Sequence, residues 1–184
     1  MLDRKNSSPV TTAYATRADL CRTFKQDMKS LYLLSLLLTA ARHSAEECFV
    51  SSLGDCMNMR PVFVEWAQSW TRRVVLENAI RTLRPVAHNE DATPQSQVNA
   101  PPPELSPALR AILRLGTFER FVFVMSVLEG YSDHECSLLL RAKRRDVVAA
   151  KAKALGRLVP TPKRKAFPRP ALQVEHQFAA MENE

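Results

Sequence analysis

The stretch from Leu128 to Leu140, LEGYSDHECSLLL, decides how the C-terminal half of this chain is read. Gly130 stands where a preceding helix has to stop, since a left-handed residue past a helix end is least costly for glycine. Ser132 lies three residues before Glu135, the spacing of a capping box, in which each side chain satisfies a backbone N–H of the other residue. Cys136 and Leu139 then face inward. Arg141-Ala142-Lys143 leaves a three-residue connection before a new helix from Arg144. Two short helices joined by so tight a turn, behind a supporting helix, make a helix-turn-helix.

The second of these helices, RRDVVAAKAKALGRL (144–158), sets what such a module does. At about 100° per residue it turns Val147, Ala154, Leu155 and Leu158 to one side. Arg145, Ala149, Lys153 and Arg157 fall on the other, with Arg144 near the N-terminal end. Lys151 lies inside the apolar stripe and has to reach out of it along its stem. Arg144, Arg145, Lys151 and Lys153 are the candidate DNA contacts, because Arg and Lys hold phosphates without reading sequence. The helix has no Asn or Gln for adenine, and base reading is weakly provided for. A solvated basic face is also what a plain helical hairpin presents.

Upstream, Ser106 caps and Pro107 enters the first turn of PALRAILRL. Thr117 is read as the cap of FERFVFVMSVLEG, whose buried stripe is Phe118, Phe121, Val122, Met125 and Leu128. Residues 86–106 combine Pro, Asn, Gln, Ser and acidic charge, and Pro101–Pro103 makes this linker semi-rigid. Three helices precede it. The first starts at Asp19, with Leu20, Phe24, Met28, Leu31 and Ser35 at helical spacing. The second covers 43–53, with Ser44 and Glu47 as a capping box and Ala45, Cys48, Phe49 and Leu53 inward. The third runs from Pro61 to Pro85, with Phe63, Trp66, Trp70 and Val74 on one stripe. No alternating β-branched run appears. The expected fold is all-α: two small helical domains, 18–85 and 107–158, joined by the 86–106 linker. Residues 1–17 read as a disordered N-terminus and 159–184 as a flexible basic, Pro-rich tail.

Composition is consistent with this. The chain has 184 residues, 46% of them hydrophobic, which is ample for a core, and a net charge of +7. Residues 1–85 carry 12 basic and 8 acidic side chains, 86–106 three acidic and no basic ones, and 107–158 ten basic against five acidic. The C-terminal part is therefore the expected contact for a polyanion. Cys21, Cys48, Cys56 and Cys136 form no CxxC pair; three of them sit in apolar helical contexts, and the set reads as reduced thiols of a cytoplasmic protein. Histidines at 43, 88, 134 and 176 are scattered, and no phosphate loop, Ser-His-Asp order or carboxylate pair stands out. No enzyme activity, metal or cofactor is expected. LYLLSLLLTAA (31–41) is too short to span a bilayer, and no apolar leader precedes it, so no membrane association is expected.

The order and spacing of these parts resemble an extracytoplasmic-function (ECF) sigma factor of bacterial RNA polymerase. EGYSDHECSLLL followed by RDVVAAKAKAL is similar to that family's region four, where Gly-x-Ser-x-x-Glu leads to the recognition helix for an upstream promoter element. AEECFVSSL is similar to the acidic region-two helix that docks on the polymerase clamp, and FVEW to that region's Phe-x-x-Trp. The resemblance covers roughly residues 18–85 and 107–158. It implies core RNA polymerase and promoter DNA as partners, an anti-sigma factor as a further one, and Glu46 and Glu47 as polymerase contacts. The chain departs from the family at Arg141, where a small Gly-type residue is usual. It departs again at Asp146–Ala150, where two customary cations are missing, and in the loop expected from Gly54 to Arg60, which lacks an aromatic for an extruded base. These departures leave a second expectation open: a sigma-like interaction protein that binds polymerase or an anti-sigma partner without promoter-specific initiation. A third is an ordinary helix-turn-helix regulator acting through residues 107–184.

Overall fold

The computed structural model describes residues 13–58, 62–87 and 105–158, and among these the fold is all-α, without a β-strand beyond one bridge from Tyr14 to Phe63. The helices are α1 (Arg17–Thr39), α2 (Arg42–Asn58), α3 (Ala67–Leu83), α4 (Pro107–Leu113), α5 (Thr117–Phe123), α6 (Asp133–Leu139) and α7 (Arg144–Leu158). Helices α1, α2 and α3 pack on one another; α7 packs on α5 and α6. Most of the expected linker (88–104) and the whole tail (159–184) lie outside the described residues.

Helix α1 starts before Asp19. Thr16 is its N-cap, with its hydroxyl accepting from the Asp19 N–H at 3.2 Å and its own N–H donating to the Asp19 carboxylate at 2.9 Å. Residues 13–17, expected to be disordered, are held instead. Ala15 N–H donates to Val62 O at 2.6 Å, Val64 N–H to Ala13 O at 3.0 Å, and Tyr14 stacks on Phe63 with ring centroids 4.7 Å apart. Leu20, Phe24, Leu31 and Ser35 are buried as the periodicity predicts, but Met28 is half exposed. Burial is concentrated in the second half, Leu34 to Thr39, because that end meets α4 and α5 as well as α2 and α3.

Helix α2 is longer than 43–53 and begins earlier. Helix α1 ends on Ala40 in a left-handed conformation (φ 58°), and Ala45 N–H already donates to Ala41 O at 2.9 Å. Ser44 is therefore inside the helix and cannot cap it. Ala45 and Cys48 are buried as expected; Phe49 and Leu53 are half-buried against the core, and the inward face continues through Ser52 and Cys56. Residues 54–58, expected in a loop, are helical, while 59–61 lie outside the described residues.

Helix α3 proper starts at Ala67, after a single 3₁₀ turn from Val64 to Trp66. Such a turn advances about 120° per residue instead of 100°, so the stripe drawn from Phe63 to Val74 goes out of phase. Val74 is buried, Phe63 and Trp70 are half-buried, and Trp66 points outward at 57% exposure. The helix ends on a left-handed Arg84, directly before Pro85. In the second group, Ser106 caps α4 with Pro107 in its first turn, as expected. Gly116 caps α5 in place of Thr117. Helix α5 widens into a π-helical turn, Val124–Leu128, closed by Glu129 N–H on Val124 O at 2.9 Å. That extra residue rotates Leu128 off the buried stripe, and it is 46% exposed; Phe118, Phe121, Val122 and Met125 remain buried.

The two helix groups share one hydrophobic core, in which Leu37, Leu38, Phe121, Val122 and Val147 all take part. A buried guanidinium joins them. Arg120 donates from Nε and Nη2 to Leu38 O, both at 3.2 Å, and from Nη1 to Leu115 O at 3.0 Å. Burial lowers its pKa to about 10. Among the described residues no helix is long and apolar enough to cross a membrane.

Candidate functional site

The capping signals of the stretch 128–143 take effect as the sequence predicts, but α6 ends at Leu139, so four residues (140–143), not three, connect it to α7. Gly130 has φ 75°. Ser132 caps α6: its N–H donates to the Glu135 carboxylate at 2.8 Å, and its hydroxyl accepts from Glu135 N–H at 3.2 Å. The Ser132 hydroxyl also donates to that carboxylate at 2.7 Å, and this bond, with the one from Ser132 N–H, holds the Glu135 carboxyl below its usual pKa. Cys136 is fully buried, and burial pushes its thiol up to about 11. Leu139 is half-buried and Leu140 buried. The turn closes through Arg141, left-handed at φ 51°, with Ala142 N–H donating to Ser137 O at 3.0 Å.

Helix α7 seats Val147, Ala150 and Ala154 in the core, and Leu158 is half-buried. Leu155, expected inward, is 38% exposed; Ala150 occupies the seat instead, because the contact face is centred on the i, i+3, i+7 positions from Val147.

The candidate DNA contacts fall into two sets. Arg144 and Arg145 are exposed at the N-terminal end of α7, beside exposed Arg141 and Lys143. Arg145 Nε lies 3.4 Å from Asp146 Oδ1. Lys151 reaches out of the apolar stripe to Asp133 Oδ1 at 3.2 Å, clamping α7 to the first turn of α6. Lys153 Nζ lies 2.9 Å from Glu119 Oε1, and Arg157 Nη1 is 2.5 Å from the other oxygen of the same carboxylate. Glu119 is on α5 and its side chain is 11% exposed. One buried anion thus holds two cations of the face proposed to meet DNA.

Glu46 and Glu47 sit elsewhere, both exposed on α2. Arg42 Nε donates to Glu46 at 3.0 Å and His43 Nε2 lies 3.2 Å from Glu47, each one helical turn away. The bond to Glu46 raises the Arg42 pKa. These acids and the α7 cations lie on helices of different groups.

Sequence reading misses Glu119, Arg120 and Glu129. A signal for the first two exists: Glu119 and Arg120 interrupt FERFVFVM, a run apolar all round, and charges in such a run are buried and must be paired. Glu129 lies 57 positions from Arg72, its ion-pair partner, and no local pattern announces that pair. No group of three or more His, Cys, Asp or Glu able to hold a metal occurs among the described residues. No family model matches the chain, and no curated protein matches it.

Proposed function

We propose that the chain is a divergent ECF-type sigma factor of bacterial RNA polymerase, acting in the cytoplasm on promoter DNA. In this reading residues 18–85 correspond to region two and bind the clamp through Glu46 and Glu47. Residues 107–158 correspond to region four and hold promoter DNA through Arg144 and Arg145, with Lys151 and Lys153 behind them. The observation that carries it is the capped α6, the four-residue turn and the basic start of α7, standing beside a three-helix group. The test is a pull-down of core polymerase by the full chain, paired with run-off transcription. Saturable binding and initiation from a defined start are expected; absence of core binding at modest salt sinks the reading.

A second reading is favoured by a specific observation: Lys151, Lys153 and Arg157 are engaged by Asp133 and Glu119, and Asp146 lies in the first turn of α7. The chain is then a sigma-like interaction protein that binds polymerase or an anti-sigma partner without choosing promoters. Genome-wide occupancy separates the two, because this version predicts polymerase association with no enriched sequence motif.

A further inference from the structure

The α1–α3 group and the α4–α7 group meet along two edges of different chemistry. On one edge the contact is apolar and closed. The C-terminal half of α1 packs on α5, and Arg120 is buried there against Leu38 O. On the other edge α3 faces the Glu129–Tyr131 turn, and the space between them is a cleft of about 590 Å3 lined by Gln68, Ser69, Arg72, Glu129, Tyr131 and Glu135. Trp70 and Tyr131 lend this edge apolar surface around a second, smaller cavity of about 250 Å3. What spans it is a fork-to-fork ion pair. Arg72 Nε donates to Glu129 Oε2 at 2.7 Å, Nη2 donates to Oε1, and Nη1 donates to Ser30 Oγ at 2.7 Å. The Glu129 side chain is 8% exposed, that of Arg72 30%. A bidentate guanidinium–carboxylate pair with the acid nearly dry is among the stronger and more directional polar contacts a protein makes.

We propose that Arg72 and Glu129 form a latch that keeps the two helix groups closed, and that the groups part by swinging about the α1–α5 contact when the latch is released. Closure keeps Arg72 of α3 partly covered, and it anchors the residue three before the α6 cap. Release therefore uncovers a cation on α3 and frees the α6–α7 pair to reorient relative to α2.

Spin labels on the full chain test it, one at Gln26→Cys on α1 and one at Ala152→Cys on α7, both exposed positions. Cys21→Ser removes the exposed native thiol, and the remaining three cysteines are buried. The parent should give one narrow distance distribution by pulsed dipolar spectroscopy. Arg72→Glu and Glu129→Arg should each add a longer, broader population. The double swap Arg72→Glu/Glu129→Arg should restore the narrow one. Circular dichroism establishes that each variant stays helical; if a charge reversal unfolds the chain, Glu129→Gln, which removes only the charge, decides in its place with the same expected longer population. Unchanged distances in the single variants overturn the latch, as does a swap that stays as open as its parents while fully helical.

Discussion

The two ends of α7 carry similar charge and differ in how that charge is used. At the N-terminal end Arg141, Lys143, Arg144 and Arg145 are all exposed. In the second half Lys151, Lys153 and Arg157 turn back toward carboxylates of α6 and α5. Counting cations along the helix treats these halves as equal. Their placement leaves the first exposed to solvent and makes the second a set of struts that fix α7 on its support. The difference arises one helix away, at Glu119, whose carboxylate is buried and must be compensated.

The comparison breaks most severely if that anion is removed. Glu119→Gln takes away two charge-assisted bonds and is expected to destabilise the fold by about 2–3 kcal/mol, read by urea denaturation. The same variant releases Arg157 and should steepen the salt dependence of binding to non-specific duplex DNA. An unchanged stability and salt slope would mean that the second half is no more restrained than the first. Next in size is the effect of the exposed end itself. Arg144→Ala/Arg145→Ala should lower the log–log salt slope of DNA binding by about 2, one for each phosphate no longer neutralised, whereas Lys151→Ala/Lys153→Ala should lower it by less than about 1. Equal reductions in the two pairs would erase the distinction.

Smaller effects come from the cap that positions both halves. Ser132→Ala removes one half of the α6 capping box and is expected to cost about 1 kcal/mol, measured as a shift in denaturation midpoint. The same box gives the smallest effect, a dependence on pH. The Glu135 carboxyl is held below its usual 4.5 by the Ser132 bonds, so it favours the folded state above that pH. This contribution disappears as pH falls through the lowered folded value, and Asp19, held below 3.8 by Thr16, adds to the decline further down. Melting temperature should therefore decline in acid below pH 4.5, and less steeply in Ser132→Ala.

Legibility follows the range of the interaction. Gly130, Ser132, Glu135 and the short turn to Arg144 are readable because each acts within four residues of its partner. Ser106 and Pro107 are readable for the same reason. The start of α2 is not: it depends on Ala40, which stops α1 in a left-handed conformation with no glycine to announce it. The α3 stripe fails at Trp66, where one turn of tighter helix changes the angular step. At the candidate site Arg144 and Arg145 stand exposed on α7 as the sequence suggests, while the restraint of Lys153 and Arg157 depends on a residue 34 and 38 positions away, beyond any periodicity.

The chain stops α1, stops α3 and turns from α6 to α7 on Ala40, Arg84 and Arg141, all with positive φ, and has only four glycines in all. Such a conformation in a residue with a side chain costs of order 1 kcal/mol or more in the native state. The same residues sample less space than glycine once the chain is unfolded, which returns about 0.4–1 kcal/mol per position. The joints of this molecule thus trade native strain against a narrower unfolded ensemble. None of these three joints is a glycine, so the extra backbone freedom that glycine brings to a turn is absent at each of them.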